Sequence, residues 1–549
     1  SNILMLTGSL FMLEVYDRVL PSRSVSTLMA LLVLAAGLYG ALALLDLIRG
    51  RIMVRIGNSL DEAVSGRVYD AVVRLPLIIG NRGDGTQPLR DLDAVRGFLS
   101  GLGPIAFFDL PWIPFYLAIC FAFHPYIGLT ALVGAVVLIV LTLLTEMMMR
   151  RPGKDVAEYA RDRSQLAEAS RRNSEAIQAM GMGPRMADRW AQANQQYVTA
   201  NLVANDVGGG MGAISKVLRM LLQSGLLAVG ALLVINQQAT AGVIIAGSIL
   251  GARALAPVDL AIANWKAFIA ARQGWERLNK LLTALPTLKA PMALNPPSRT
   301  LVVENVSVAP PGEQKIVVLD VSLKLEAGNG LGIIGPTASG KSSLSRMLVG
   351  IWRPIRGRVQ LDGASLEQWS PEALGCHIGY LPQDVELLAG TVAQNIARFE
   401  EDADPNLVIA AARAAGVHEL IVSLPEGYET QVGEQGEALS SGQGQRIALA
   451  RALYRDPFLV VLDEPNANLD SEGDEALTQA ILAVRKRGGI VVVVAHRPSA
   501  ITGLDLILVM NKGRVHHFGP KEEVLAKAMQ RPPGARPLQV VPDTAGRSA

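Results

Sequence analysis

Cysteine is nearly missing from this chain: Cys120 and Cys376 are the two thiols in 549 residues, and they make no disulfide framework. Neither sign of charge is in excess. The formal net charge is +2, so no basic surface suited to a nucleic acid is implied. Aromatic residues make up only 5%. No small-residue cleavage site follows the first apolar stretch, which speaks against a signal peptide. What the chain has in quantity is aliphatic sequence. At 549 residues it is too long for one compact core, and 50% hydrophobic residues with a mean hydropathy of +0.30 point to a membrane portion.

The apolar excess lies in the first half. Leu28 to Ile48, Pro104 to Phe123, Ile127 to Thr145, Val217 to Ile235 and Ala241 to Ile262 each approach the ~20 residues that span a bilayer. Ile3 to Leu13 is too short, and because the chain opens Ser1-Asn2 it reads as the remnant of a sixth segment. Arg49, Arg51, Arg55, Arg67 and Arg74 follow the second segment, and Arg150, Arg151 and Lys154 follow the fourth. The other connections, His124-Pro125 and Asn236 to Thr240, are short and uncharged. The positive-inside rule therefore puts the long connections, and everything after the last span, in the cytoplasm. Those connections, Arg49 to Gly103 and Arg150 to Gly212, are long enough for paired helices reaching roughly 35–45 Å below the membrane at the helical rise. Breaks at Leu75-Pro76-Leu77 and at Gly181 to Pro184 are where coupling helices are expected to turn.

The second half carries the chemistry. In Gly335-x-x-x-x-Gly340-Lys341-Ser342 the glycines let backbone N–H groups close around nucleotide phosphates. Lys341 reaches the β and γ oxygens, and the Ser342 hydroxyl ligates Mg²⁺. Ser343 continues into an amphipathic run. Leu459 to Leu462 lead into Asp463 and Glu464, two carboxylates at the end of a buried strand. Asp463 is expected to hold Mg²⁺ through water and Glu464 to polarise the attacking water as general base. VVVVAHRP puts His496 at the tip of another apolar strand, within reach of a γ-phosphate. Leu439 to Leu453 has the form of a loop opening a helix whose first amides face an anion.

With these motifs in order, the chain resembles an ABC transporter over essentially its whole length. Gln383 in YLPQD matches the family's Q-loop, with a catalytic and metal-binding role implied. Leu439 to Gln443 matches its signature, so that Ser440, Gly442 and Gln443 are implied in nucleotide binding. Asp470 matches its D-loop and His496 its switch histidine. The resemblance implies a homodimer that sandwiches two ATP molecules, with the signature of one copy facing the phosphate loop of the other. Three positions depart from the pattern. Ser441 and Ala338 stand where glycines are usual, and a Cβ at Ser441 is expected to narrow the backbone beside a phosphate. NVSVAPPG offers only Val308 where relatives stack an aromatic residue on adenine.

The expected fold is an α-helical membrane domain of the type IV exporter class, with six transmembrane helices per protomer and the first truncated, followed by an α/β P-loop ATPase domain. The expected divisions are a membrane domain with cytoplasmic extensions at 1–285, a linker at 286–300, the nucleotide-binding domain at 301–527 and a flexible tail at 528–549. FMLEVYDRVLPS (Phe11 to Ser22), IGYLPQDVELLAGTVAQNI (Ile378 to Ile396) and LDEPNANLD (Leu462 to Asp470) resemble the type I secretion branch that exports proteases, lipases and similar polypeptides. TQVGEQG (Thr430 to Gly436) matches an exporter-specific loop, with Glu434 placed to meet a coupling helix. The resemblance implies a multi-pass protein of the bacterial inner membrane, with its nucleotide-binding domain in the cytoplasm. It further implies work with a periplasmic membrane-fusion adaptor and an outer-membrane channel on secreted polypeptides bearing a C-terminal signal. No peptidase-like domain precedes the membrane part, so leader cleavage is not expected. The other readings are a lipid or small-molecule exporter, and a nucleotide-gated regulatory or structural membrane protein. Glu464 and His496 speak against the last.

One constellation lies inside the membrane. Asp109, Arg219 and Arg253 each fall about 15–17 residues from an outer turn, a single level roughly 22–26 Å deep. Charges at such depth usually face a bundle interior or a water-filled path. Asp109, beside Pro111 and Pro114, is expected to face inward and pair with Arg253 or Arg219 in a transport path.

Overall fold

A computed structural model describes residues 1–80, 85–285, 294–433, 436–495 and 498–529. The chain divides into two compact units, residues 1–71 with 86–285 and residues 72–85 with 286–549.

The first unit is helical. Among the described residues, five helical stretches are long and apolar enough to cross a membrane: Val25–Ile79, Gly103–Phe123, Pro125–Arg172, Gly183–Ile235 and Ala241–Ala284. They contain the five spans legible in the sequence. A further helical run covers 4–22, with a π-helical turn at Val15–Val19. The second stretch is broken by a 3-10 turn at Leu110–Trp112, as the rings of Pro111 and Pro114 require. Small residues let the helices approach: a Cβ on Gly134 would come within 2.3 Å of Leu222, and one on Gly251 within 2.4 Å of Leu226. Around these contacts Tyr116, Cys120, Ile127, Leu226 and Leu250 form a buried cluster.

Two expectations for this half are corrected. No break occurs at Leu75-Pro76-Leu77: the helix runs through Pro76 to Ile79. A proline removes one intrahelical hydrogen bond but does not forbid continuation. The stop comes at Gly80, which adopts φ 76° and donates its N–H to the Pro76 carbonyl at 3.0 Å. The second break does fall at Gly181, φ 62°, between helices Ser174–Ala179 and Gly183–Ile235. The Asp109 pairing is the other correction. Asp109 is 8% exposed and so faces inward, but its partner is Arg49, at 2.6 Å. Arg49 also donates to the Ile105 carbonyl at 3.0 Å, and Asn2 donates to Asp109 at 2.9 Å. Arg219 instead pairs with Asp259 at 2.9 Å, and Arg253 is exposed. Counting residues along a helix gives a level; which neighbour shares it depends on packing. The helix Gln87–Ser100 is fastened separately, Asp91 accepting two hydrogen bonds from Arg277 at 2.6 and 2.8 Å.

Among the described residues the second unit holds ten strands: β1 (Thr300–Val308), β2 (Val318–Glu326), β3 (Gly330–Ile334), β4 (Arg356–Leu361), β5 (Ala364–Ser365), β6 (Ile378–Leu381), β7 (Leu459–Asp463), β8 (Ile490–Val494), β9 (Leu506–Asn511) and β10 (Arg514–Pro520). An antiparallel sheet has the order β2-β1-β4-β5, and a six-stranded sheet the order β10-β9-β3-β8-β7-β6, parallel except for β10 at its edge. β8 is apolar throughout and β7 is apolar up to its last residue, Asp463; both are buried on both faces along their whole length, as central parallel strands are. β2 alternates buried and exposed residues because only one of its faces is covered. The last described linker residues lead into β1, where Asp362 accepts backbone N–H groups of Ser298, Arg299 and Thr300 at 2.6–3.2 Å.

Candidate nucleotide site

The phosphate loop follows β3 and ends at the helix Lys341–Leu348. Gly340 caps that helix at φ 97°, where a Cβ would stand 2.7 Å from the Val317 carbonyl oxygen. Only glycine meets both conditions. Ala338 lies in the left-handed region too, at φ 62°. Ser441, by contrast, is the first residue of the helix Ser441–Leu453, capped by Ser440. The conformational burden expected at Ser441 therefore falls on Ala338.

Lys341 is 5% exposed, and its ammonium donates to the Gly335 and Pro336 carbonyls at 3.0 and 2.9 Å. Burial holds its pKa below the ordinary lysine value, against the opposing pull of Glu464 and Asp463. Asp463, 1% exposed, accepts from Ser342 at 3.2 Å and from Ser345 at 3.1 Å. Burial raises its carboxyl above the usual range, although both hydroxyls act to lower it. The phosphate loop is thus tied to the end of β7. Glu464 follows in a left-handed turn, φ 53°, with its N–H on the Val494 carbonyl at 3.0 Å.

Gln383 stands exposed just beyond β6. Parallel register pairs Leu381 with Leu462, so Gln383 leaves the sheet at the same edge as Glu464. Ser343 is half-buried in the first turn after the loop. The signature residues build the start of another helix: Ser440 accepts from the Gln443 N–H, and the Gln443 side chain accepts from the Ser440 N–H at 2.9 Å. Asp470 caps the helix Ser471–Lys486 through the Gly473 N–H at 2.8 Å and pairs with Arg446. His496 and Glu434 lie outside the described residues.

One sequence expectation fails here. Val308 is 0% exposed, paired with Val318 at the end of β1 and part of the core between the sheets. It cannot face a base; the accessible residues of that region begin at Ala309. Sequence reading also missed four residues. Ser345 shares a helix face with Ser342 at i+3 and could have been found from that spacing. Ser339, inside the loop, keeps a buried hydroxyl with no hydrogen-bond partner among the described residues. Gln445 and Arg446 lie past the signature, on a buried stretch where spacing alone reads as core.

A buried lysine in a glycine loop, a carboxylate bonded to hydroxyls of the following helix, and a helical unit with membrane-length spans define a P-loop ATPase joined to a membrane domain. Comparison with known proteins sharpens that class. The ABC transporter family matches residues 318–467, and the ABC transporter transmembrane region matches residues 1–252. The type I secretion system ATP-binding protein PrsD of Rhizobium meliloti strain 1021 is 57% identical over 98% of this chain and 92% of its own. The cyclolysin secretion/processing ATP-binding protein CyaB of Bordetella pertussis is 31% identical, over 94% of this chain and 73% of its own. The toxin RTX-I translocation ATP-binding protein of Actinobacillus pleuropneumoniae is 30% identical, over 96% and 75%. A solved bacterial Atm1-family ABC exporter with ATP bound shares the fold, with a TM-score of 0.81 at 23% identity over 96% of this chain and 95% of its own. The chain belongs to the ABC transporter family, in its type I secretion branch, and is an ATP-driven exporter.

Proposed function

We propose that this protein works as a homodimer in the bacterial inner membrane, moving unfolded polypeptides with a C-terminal signal through a periplasmic adaptor and an outer-membrane channel. The likeness to PrsD over nearly the whole of both chains supports the protein-secretion reading. The observation that carries the chemistry is the buried Asp463, hydrogen-bonded to Ser342 and Ser345 beside the buried Lys341. One carboxylate and hydroxyl oxygens, with phosphate and water completing the shell, suit Mg²⁺, a hard cation that keeps several waters. Ser342, Asp463 and Gln383 would hold it, and the metal would neutralise phosphate charge.

Lys341 and the first amides of its helix bind and orient the phosphates. Glu464 takes the proton of the attacking water, and His496 reads the γ-phosphate. Gly335, Gly340 and Ser343 shape the loop. Ser440, Gly442, Gln443 and Asp470 complete the site from the second copy, since each motif occurs once per chain. Asp109 belongs to the transport path on this reading, with Arg49 as its counter-charge and Arg219 and Arg253 at the same depth.

The test is Glu464→Gln in the full chain, reconstituted in lipid. ATP binding is retained and turnover falls by at least about a hundredfold, the lower bound of the range for loss of a general base. A secretion-signal peptide alters turnover of the parent but not of this variant. Turnover near the parent rate would sink the role given to Glu464; indifference of the parent to the peptide would point to another cargo.

A further inference from the structure

Gln445 holds neither phosphate nor metal in the reading above, yet it is 3% exposed on the helix Ser441–Leu453, with its amide fully engaged. Its Nε2 donates to the carbonyls of Glu464 and Pro465 at 3.3 and 2.6 Å. Its Oε1 accepts from the Asn468 N–H at 3.1 Å. The neighbouring positions look the same way. Gly442, Gln445 and Arg446 are spaced i, i+3, i+4 and so share one helix face. A Cβ on Gly442 would stand 2.9 Å from the Asn468 carbonyl oxygen. Arg446 pairs with Asp470, whose carboxylate also caps the next helix through the Gly473 N–H. The segment 464–470 is thus gripped near its start by Gln445 and at its end by Arg446.

The start of that segment needs holding. Glu464 sits at φ 53°, a conformation that L-residues avoid and that persists only where the surroundings enforce it. Its N–H is fixed on the Val494 carbonyl at 3.0 Å, and its carbonyl accepts from the Ala467 N–H at 3.2 Å as well as from Gln445. Both peptide groups flanking the Glu464 Cα are therefore tethered. The direction in which its side chain leaves the strand follows from them.

We propose that Gln445 is a positioning residue for ATP hydrolysis, acting through Glu464 by fixing the peptide that carries it. The inference rests on the reading of Glu464 as general base. Losing both carbonyl contacts frees the turn while leaving Lys341 and its loop intact, so turnover suffers and nucleotide affinity does not.

The experiment compares Gln445→Met, Gln445→Glu and Glu464→Gln with the parent, as full chains in lipid, reading kcat and KM for ATP. Gln445→Met keeps length and burial but removes both kinds of hydrogen bond. Its kcat falls about ten- to a hundredfold, the scale for a misplaced catalytic group, while KM stays within about twofold. Gln445→Glu keeps the acceptor for Asn468 but loses the donor, and it shows the same split near neutral pH. Its activity relative to the parent rises on acidification, because a protonated carboxyl donates again and burial raises its pKa. A kcat within about twofold of the parent, a KM that rises in step with the fall in kcat, or no recovery on acidification each overturns the proposal. Should Gln445→Met not fold, Gln445→Glu decides alone. If Glu464→Gln itself turns over normally, it is the reading of Glu464 that fails. If Glu464→Gln is inactive and the Gln445 variants are normal, only this inference fails.

Discussion

Ala338→Gly should stabilise the motor, and Ser441→Gly should not, although both restore a glycine usual in the family. Ala338 holds φ 62°, and the left-handed region costs an L-residue roughly 1–2 kcal/mol. Glycine removes that cost but adds unfolded-state freedom worth about 0.4–1 kcal/mol. The net gain is about 0.5–1 kcal/mol, or a rise in Tm of roughly 1–4 °C for a domain of this size. Ser441 opens a helix in ordinary helical geometry. Glycine there relieves nothing and forfeits up to about 0.5 kcal/mol of helix propensity. Thermal unfolding of the full chain in lipid nanodiscs without nucleotide, followed by a probe in the motor, separates the two. A lower Tm for Ala338→Gly together with a higher one for Ser441→Gly would refute the reasoning, since the strain would then lie at the signature.

Val308→Tyr overpacks a fully buried position and lowers stability by about 1–3 kcal/mol without tightening ATP binding; chemical denaturation and nucleotide titration of the same sample check both. Mg²⁺-dependent ATP binding weakens on acidification: burial raises the Asp463 carboxyl, so protons compete with the metal from a pH above the ordinary aspartate value of about 3.9. ATP titrations with Mg²⁺ and with a chelator should diverge less as pH falls, and an unchanged gap would argue against Asp463 as the ligand. Asp109→Asn and Arg49→Gln each impair export more than basal ATP turnover, and the exchange Arg49→Asp with Asp109→Arg recovers part of it; secretion and ATPase assays on the same variants test this, and no recovery would deny the pair a role of its own.

The ATP site was legible because its chemistry is local. A phosphate loop needs glycines at fixed intervals, and a buried parallel strand ending in carboxylates announces itself as an apolar run, so Lys341, Ser342, Asp463 and Glu464 could be named without coordinates. The five spans were legible for a similar reason, since bilayer thickness sets a length that any apolar window reveals. Azimuth and partner choice were not. Pro76 looked like a break because the sequence marks the lost hydrogen bond, but one missing bond did not end the helix, which runs on to Ile79. Val308 looked base-facing because its place in a motif was visible and its side of β1 was not.

By itself, then, the sequence determined the family, the order of membrane part and motor, and the residues proposed to meet phosphate and metal, since all of these depend on residue type and spacing along one strand or helix. Tertiary structure alone decided that Asp109 meets Arg49, that strain sits at Ala338 and not Ser441, and that Gln445 reaches across 19 residues of sequence to the peptide of Glu464. Each of those depends on which elements pack side by side and at what rotation, and periodicity along a single element leaves that undetermined.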